Sequence, residues 1–139
     1  MDTELRGKIE ACCNTAEEFT KLYYKSFDKS RHQMNRLYLD TGVFVWNGSG
    51  AIGKDNIQKL QIELPSSEHN LYTLDAQPII DDAVAGQLTY AIQTGGTVKY
   101  MDNPVKQFQQ TFIITAQGDK WKIASDSYRL QDAIATADK

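Results

Sequence analysis

Apolar residues near the start of the chain recur at three- and four-residue steps: Leu5, Ile9, Cys12, Cys13, Ala16, Phe19, Leu22, Tyr23 and Phe27. A single stripe at that period predicts one long helix over roughly residues 4 to 28. Glu17, Lys21 and Lys25, four residues apart, decorate its wet side. About 25 residues at ~1.5 Å each make a rod of about 37 Å, enough to lie across a whole sheet. Asp28-Lys29-Ser30 ends it, and Ser30 is placed to cap a second, shorter helix carrying Met34, Leu37 and Tyr38. The period then changes to two. Phe44 and Trp46 share a strand face, Asn47-Gly48 is a hairpin signal, and Ala51-Ile52 leaves room only for a short return strand. Lys54 to Leu64, with Ile57, Leu60 and Leu64 on one side, predicts a third helix stopped by Pro65.

Long strand patterns follow at Asn70 to Ile80, Gln87 to Tyr100, Lys106 to Gln117 and Lys120 to Gln131, the last two joined by a tight turn at Gly118-Asp119. Pro78, Gly86, Gly95-Gly96 and Pro104 mark bends, bulges or strand ends. Helices first and antiparallel strands afterwards predict an α+β domain, with helices packed on one face of a curved sheet. Residues 133 to 139 read as a frayed tail. In the strand from Lys106, Phe108, Phe112, Ile114 and Ala116 fall on one side; Gln107, Gln109, Thr111, Ile113 and Thr115 fall on the other. A face of Gln, Thr and one Ile is neither a dry core nor a charged surface. It fits a partly buried interface or a plain solvated face.

Composition narrows the function classes. At 139 residues, with 41% hydrophobic and 24% charged residues, the chain is one domain with enough material for a core. A net charge of -3 gives no basic footprint for direct nucleic-acid binding. No apolar run approaches the ~20 residues that span a bilayer. The Met1-Asp2-Thr3-Glu4-Leu5 start lacks signal-peptide features, so residence in the cytosol or nucleus is expected. Cys12 and Cys13 project about 100° apart on a helix and read as small half-buried thiols rather than a bridge or a metal pair.

Several motifs suggest chemistry without completing it. Gly48-Ser49-Gly50-Ala51-Ile52-Gly53-Lys54-Asp55 has phosphate-loop spacing, but Asp55 stands where a hydroxyl would hold magnesium, and what precedes it is not a βαβ unit. The segment reads as a hairpin. His32 and His69 have no ligands at metal spacing. His69 pairs on paper with Asp75 as an acid–base couple, yet reads more simply as a surface histidine at a strand start. No nucleophile motif is present, and Asn47-Gly48-Ser49 is a glycosylation sequon useless to a chain that is never secreted. Arg129 ends the last strand with Ser125 and Ser127 on its face, free to grip a partner carboxylate or to pair within the chain with Asp126 or Asp132. No catalytic, metal or cofactor set is expected.

The ordered blocks Phe19, Tyr23-Tyr24, Leu37-Tyr38, Val45-Trp46-Asn47-Gly48, Gly53 and Leu64-Pro65 resemble the nuclear transport factor 2-like family. Leu64-Pro65-Ser66-Ser67, Asp75-Ala76-Gln77-Pro78 and Trp121-Lys122-Ile123-Ala124-Ser125-Asp126 with Tyr128-Arg129 are similar to its branch of small export subunits, over roughly residues 5 to 132. The resemblance implies a cone-shaped α+β fold whose open sheet face pairs with a second domain of the same fold. In the export branch that partner is the matching domain of a large nuclear RNA export receptor. The heterodimer carries mRNA through the pore along phenylalanine-glycine nucleoporins, shuttling between nucleus and cytoplasm. Arg129 matches the family's strand-end arginine that forms an ion pair across the interface, and Asp75, Gln77 and Pro78 match a block near it. Gln109 and Thr111 join them as expected contacts on the Gln and Thr face.

The importer of GDP-bound Ran, a homodimer in the same family, has a glutamate where this chain has Asn47. Its acidic loop is matched by Tyr100-Met101-Asp102-Asn103, with Asp102 the sole acid. Cys12 stands near the importer's repeat-binding tryptophan, so contact with nucleoporins is expected to fall mainly to the partner. A non-enzymatic adaptor is therefore the leading expectation, and a homodimeric Ran import factor the alternative. An enzyme of the dehydratase or isomerase kind is a third reading. That reading needs a polar pair deep in the cone, where Phe44, Trp46, Phe108 and Phe112 are expected to fill the space.

Overall fold

The computed structural model describes residues 3–79 and 87–131. The predicted first helix is α1, Thr3–Lys29. Its buried face is Cys12, Ala16, Phe19, Tyr23, Tyr24 and Phe27. Leu5, Cys13 and Leu22 of the same stripe stay exposed. A 3-10 helix, Arg31–Leu37, follows where a short α-helix was expected, and Ser30 caps it with no side-chain bond. Tyr38 opens strand β1, Tyr38–Trp46. Asn47 and Gly48, at φ 50° and 89°, make the tight turn into β2, Ser49–Ile52. Both positive values are what a two-residue hairpin requires, and Asn-Gly adopts them at little cost. Helix α2, Lys54–Ile62, starts at Gly53 and buries Ile57. Strands β3 (Ser67–Pro78), β4 (Thr89–Tyr100), β5 (Lys106–Gln117) and β6 (Lys120–Gln131) complete the fold. Gly86 and the expected tail lie outside the described residues, as does Ile80.

The six strands form one sheet in the order β2-β1-β6-β5-β4-β3. Every neighbouring pair is antiparallel except β1 with β6, which run parallel, as the long intervening crossover permits. The helices cover one face, and the core lies between them and the inward residues Tyr90, Ile92, Val98, Phe108, Phe112, Ile114 and Ile123.

Two bulges decide which residues face in. In β3, Leu71 pairs with Gly96 and Thr73 with Gly95, so Tyr72 is an extra residue. His69 therefore points inward while Asp75 points outward, although both are odd-numbered. A Cβ on Gly96 would lie 1.9 Å from the Asn70 carbonyl oxygen, so the bulge needs glycine opposite it. In β6, Ser125 pairs with Ile113 and Ile123 with Ile114, leaving Ala124 extra. Trp121 and Ile123 face in before it, and Asp126 and Tyr128 face in after it.

Candidate functional site

The face of β3–β6 turned away from the helices carries the residues singled out from sequence. Strand register lays them out in rows: Thr73, Gly95, Gln109 and Arg129 in one, and Asp75, Gln93, Thr111 and Ser127 in the next. A third row holds Gln77, Ala91, Ile113 and Ser125. The expected division of β5 holds: Phe108, Phe112 and Ile114 are buried, while Gln107, Gln109 and Thr111 are exposed. The missing side chains of Gly95 and Gly96 help form a depression of about 410 Å³ beside Tyr72 and Gln109. A second, of about 490 Å³, lies beside Asp75, Gln77 and Thr111.

Arg129 and Asp75 stand diagonally across this face, on β6 and β3. Three interstrand steps of ~4.8 Å alone set them about 14 Å apart, before the offset of one row along the strands, too far to pair. Neither makes an ion pair among the described residues. Asp126, one intrachain candidate for Arg129, points to the opposite face; Asp132 lies outside the described residues. Pro78 differs from the other five residues. It pairs with Tyr90, a buried residue, and so falls in the inward phase at the end of β3.

The interior holds polar chemistry that sequence reading missed. Asp126 is 1% exposed. Its Oδ2 accepts the Tyr23 and Tyr38 hydroxyls at 2.8 and 2.6 Å, and its Oδ1 accepts the Gln110 amide at 2.7 Å. Tyr38 also accepts from the Gln61 amide at 2.9 Å, while Tyr24 donates to Gln110 Oε1 at 2.6 Å. Burial pushes the Asp126 carboxyl up to about 6, against the pull of its three donors. Burial also lifts the Tyr23 and Tyr38 hydroxyls well above their ordinary value, so they remain donors.

His69 overturns the expected surface histidine and the pairing with Asp75. Its side chain is 1% exposed, and its partners are Asp28 Oδ1 at 2.7 Å from Nδ1 and the Tyr128 hydroxyl at 2.8 Å from Nε2. Asp28 also accepts from the His69 backbone N–H and from Ser67. Burial raises its carboxyl, but these bonds outweigh burial and hold it below the usual range. The Tyr72 bulge explains the change of partner, because it puts Asp75 on the other face. A signal was available in the spacing of Tyr23 and Tyr24 on the helix and in a lone Asp126 between Ser residues on a core strand. Polar residues at otherwise apolar inward positions mark a buried network. These groups serve one another as donors and acceptors, which ties α1 to β3, β5 and β6.

Two further features bear on binding. Asn47 Oδ1 accepts the Leu130 N–H at 2.9 Å, so its side chain is committed to holding the hairpin against β6. Among the described residues there is no metal-ligand cluster and no helix long and apolar enough to cross a membrane.

The profile of the nuclear transport factor 2 (NTF2) domain matches residues 15–130. The chain belongs to the nuclear transport factor 2 family. NTF2-related export protein 1 of Bos taurus is 42% identical over 133 residues, covering 93% of this chain and 95% of that protein. Among solved structures, nuclear transport factor 2 from Cryptosporidium parvum aligns at a TM-score of 0.75 and 21% identity, covering 85% of this chain and 93% of that one. A chain of the C. albicans Mtr2–Mex67 M domain complex aligns at 0.71 and 17%, covering 92% and 98%. The cone-shaped α+β fold expected for this family is the one described above.

Proposed function

We infer that this member of the nuclear transport factor 2 family is a non-enzymatic adaptor for mRNA export. Its open β3–β6 face pairs with the nuclear transport factor 2-like domain of a large nuclear RNA export receptor, and contact with phenylalanine-glycine nucleoporins comes through that partner. The protein moves between nucleus and cytoplasm with it. The observation that carries this reading is an exposed face of Gln, Thr and Ser on which an arginine and a carboxylate stand diagonally apart, neither in an ion pair among the described residues. Such a face gains most from a partner whose charges are complementary. The reading is supported by the export proteins among the relatives and by a structural neighbour that is one half of a complex with Mex67. Arg129, Asp75, Gln77, Gln109 and Thr111 form the contact, with Pro78 ending the strand beside it. The commitment of Asn47 to Leu130 and the single acid of the Tyr100-Met101-Asp102-Asn103 loop weigh against a Ran import role.

The test is co-expression with that receptor domain, then size-exclusion chromatography with light scattering, with Arg129→Asp alongside. A 1:1 complex weakened about 30-fold or more by the charge reversal is expected, the effect of ~2 kcal/mol or more for an interfacial charge left without its partner. A chain that ignores the receptor, runs as a homodimer and binds GDP-loaded Ran would replace this reading with the import one.

A further inference from the structure

A groove of about 410 Å³ opens on the helix side of the sheet, away from the β3–β6 face. Its apolar wall is Phe19 and Leu22 from α1, Leu37 from the 3-10 helix and Trp121 from the start of β6. Leu22 is one turn on from Phe19 and 45% exposed, an apolar side chain that the core does not take up. Trp121 is fixed in place by stacking on Tyr90, with ring centroids 4.6 Å apart. The rim carries Arg36, Lys120 and Lys122, with Glu18 the only acid in the lining. Lys122 Nζ donates to the Arg36 backbone carbonyl, which joins the start of β6 to the 3-10 helix at the groove's edge.

The charge is the informative part. The chain as a whole is at -3, yet this lining has three cations against one carboxylate. A local reversal of sign around an apolar trough fits a ligand with acids around an apolar anchor. The trough is recessed, whereas a membrane-binding patch would project its apolar residues. Three cations at one spot do not make the extended track that a nucleic-acid backbone needs. The cations are long and flexible and sit at the rim, so they attract and steer a partner without fixing a small ligand's orientation.

We propose that this groove docks a linear segment of a partner protein carrying one large apolar side chain flanked by carboxylates. The apolar side chain lies between Leu22 and Trp121, and its acidic neighbours reach Arg36, Lys120 and Lys122. Because helices and open face occupy opposite sides of the sheet, the groove stays accessible when a second domain covers Arg129 and Asp75. The proposal is independent of the export reading.

The probe is a fluorescein-labelled synthetic twelve-residue peptide with one phenylalanine and one leucine among glutamates, aspartates and serines. Binding to the full chain is followed by fluorescence anisotropy and by amide chemical shifts. Saturable binding at about 10–100 µM is expected, with shifts centred on Leu22, Arg36 and Trp121 and affinity falling as salt rises. Leu22→Asp should weaken it at least tenfold and Lys120→Glu about threefold, while Arg129→Asp leaves it unchanged. Both substituted side chains point to solvent, and unaltered far-ultraviolet circular dichroism will verify that the variants fold. The proposal is overturned if no saturable binding occurs, or if a peptide with serine for its two apolar residues binds as well. It is equally overturned if lysines can replace the acids, if Arg129→Asp abolishes binding, or if an oligonucleotide or phosphatidylserine vesicles give the same shifts.

Discussion

Acidifying this protein from pH 7.5 to 4 should strengthen the part of its fold built around Asp126. The carboxyl titrates at about 6 in the folded chain, against 3.8 for an ordinary aspartate, because burial penalises the ionised form more than its three donors favour it. A folded value raised above the unfolded one means that the native state binds the proton more tightly. The stabilisation is therefore fully present below the unfolded value and lost as pH rises through the folded one. Proton linkage makes it about 1 kcal/mol at pH 5 and about 2 kcal/mol at pH 4, relative to pH 7.5. Asp28 works in the opposite sense: its folded value is lowered, so its contribution is present at neutral pH and lost on acidification. The comparison with Asp126→Asn cancels that term, since the variant keeps Asp28 and cannot titrate at 126. Urea unfolding of both proteins, followed by the fluorescence of Trp46 and Trp121 at pH 7.5, 6, 5 and 4, reads the difference directly. Wild type should gain about 2 kcal/mol on the variant over that range. Parallel curves would refute the reasoning. Wild type losing ground to the variant on acidification would mean that the three donors outweigh burial and hold Asp126 ionised.

Gly96→Ala should cost about 2–4 kcal/mol in the same urea assay, since the new methyl would meet the Asn70 carbonyl at the Tyr72 bulge. Gly7→Ala is its control: nothing lies near that position in α1, so a gain of about 0.5–1 kcal/mol is expected from helix propensity alone. Arg31 donates to the carbonyls of Phe27, Gln61, Leu64 and Pro65 and to the Ser67 hydroxyl, and its guanidinium lies 4.3 Å from the Phe27 ring centroid. Arg31→Ala should lower stability by about 2–4 kcal/mol, and Arg31→Lys should recover less than half of it, because an ammonium cannot reach so many acceptors from one position.

The boundaries of β5 and β6 were readable to the residue, since Gly118-Asp119 and the alternation of Phe108 to Ile114 set both turn and phase. The long helix and the Asn47-Gly48 hairpin were readable for similar local reasons. What local pattern could not show is the phase of a strand beyond a bulge. The Tyr72 insertion is visible only once β3 is laid against β4, so Asp75 and His69 looked like neighbours on one face. The parallel pairing of β1 with β6 joins strands far apart in the chain and has no short-range signature. The buried network was hidden for the same reason. Tyr23, Tyr38, Gln110 and Asp126 come from four separate elements, and each reads as unremarkable until the fold brings their polar atoms within 3.0 Å. Among the candidate interface residues, the strand phase of Gln109, Thr111 and Arg129 was right from sequence, whereas Pro78 was assigned on its block and falls inward.

These two polar sets lie back to back on the same strands, and the difference between them bears on function. Inward, Gln110 and Asp126 are matched by donors and acceptors from α1 and β1. Outward, Gln109 and Arg129 lie on the same two strands and in register with each other, and among the described residues Arg129 makes no ion pair. Substitution at Arg129 removes no hydrogen bond that holds the helices to the sheet. Loss of binding in that variant therefore reports on the surface and not on the fold. Substitution at Asp126 acts the other way, changing stability with pH while leaving the outer rows of side chains in place. A partner that distinguished wild type from Asp126→Asn at neutral pH, with both fully folded, would require the two faces to be coupled through β5 and β6. Among the described residues no shared polar contact links them, so unchanged affinity is the expected outcome.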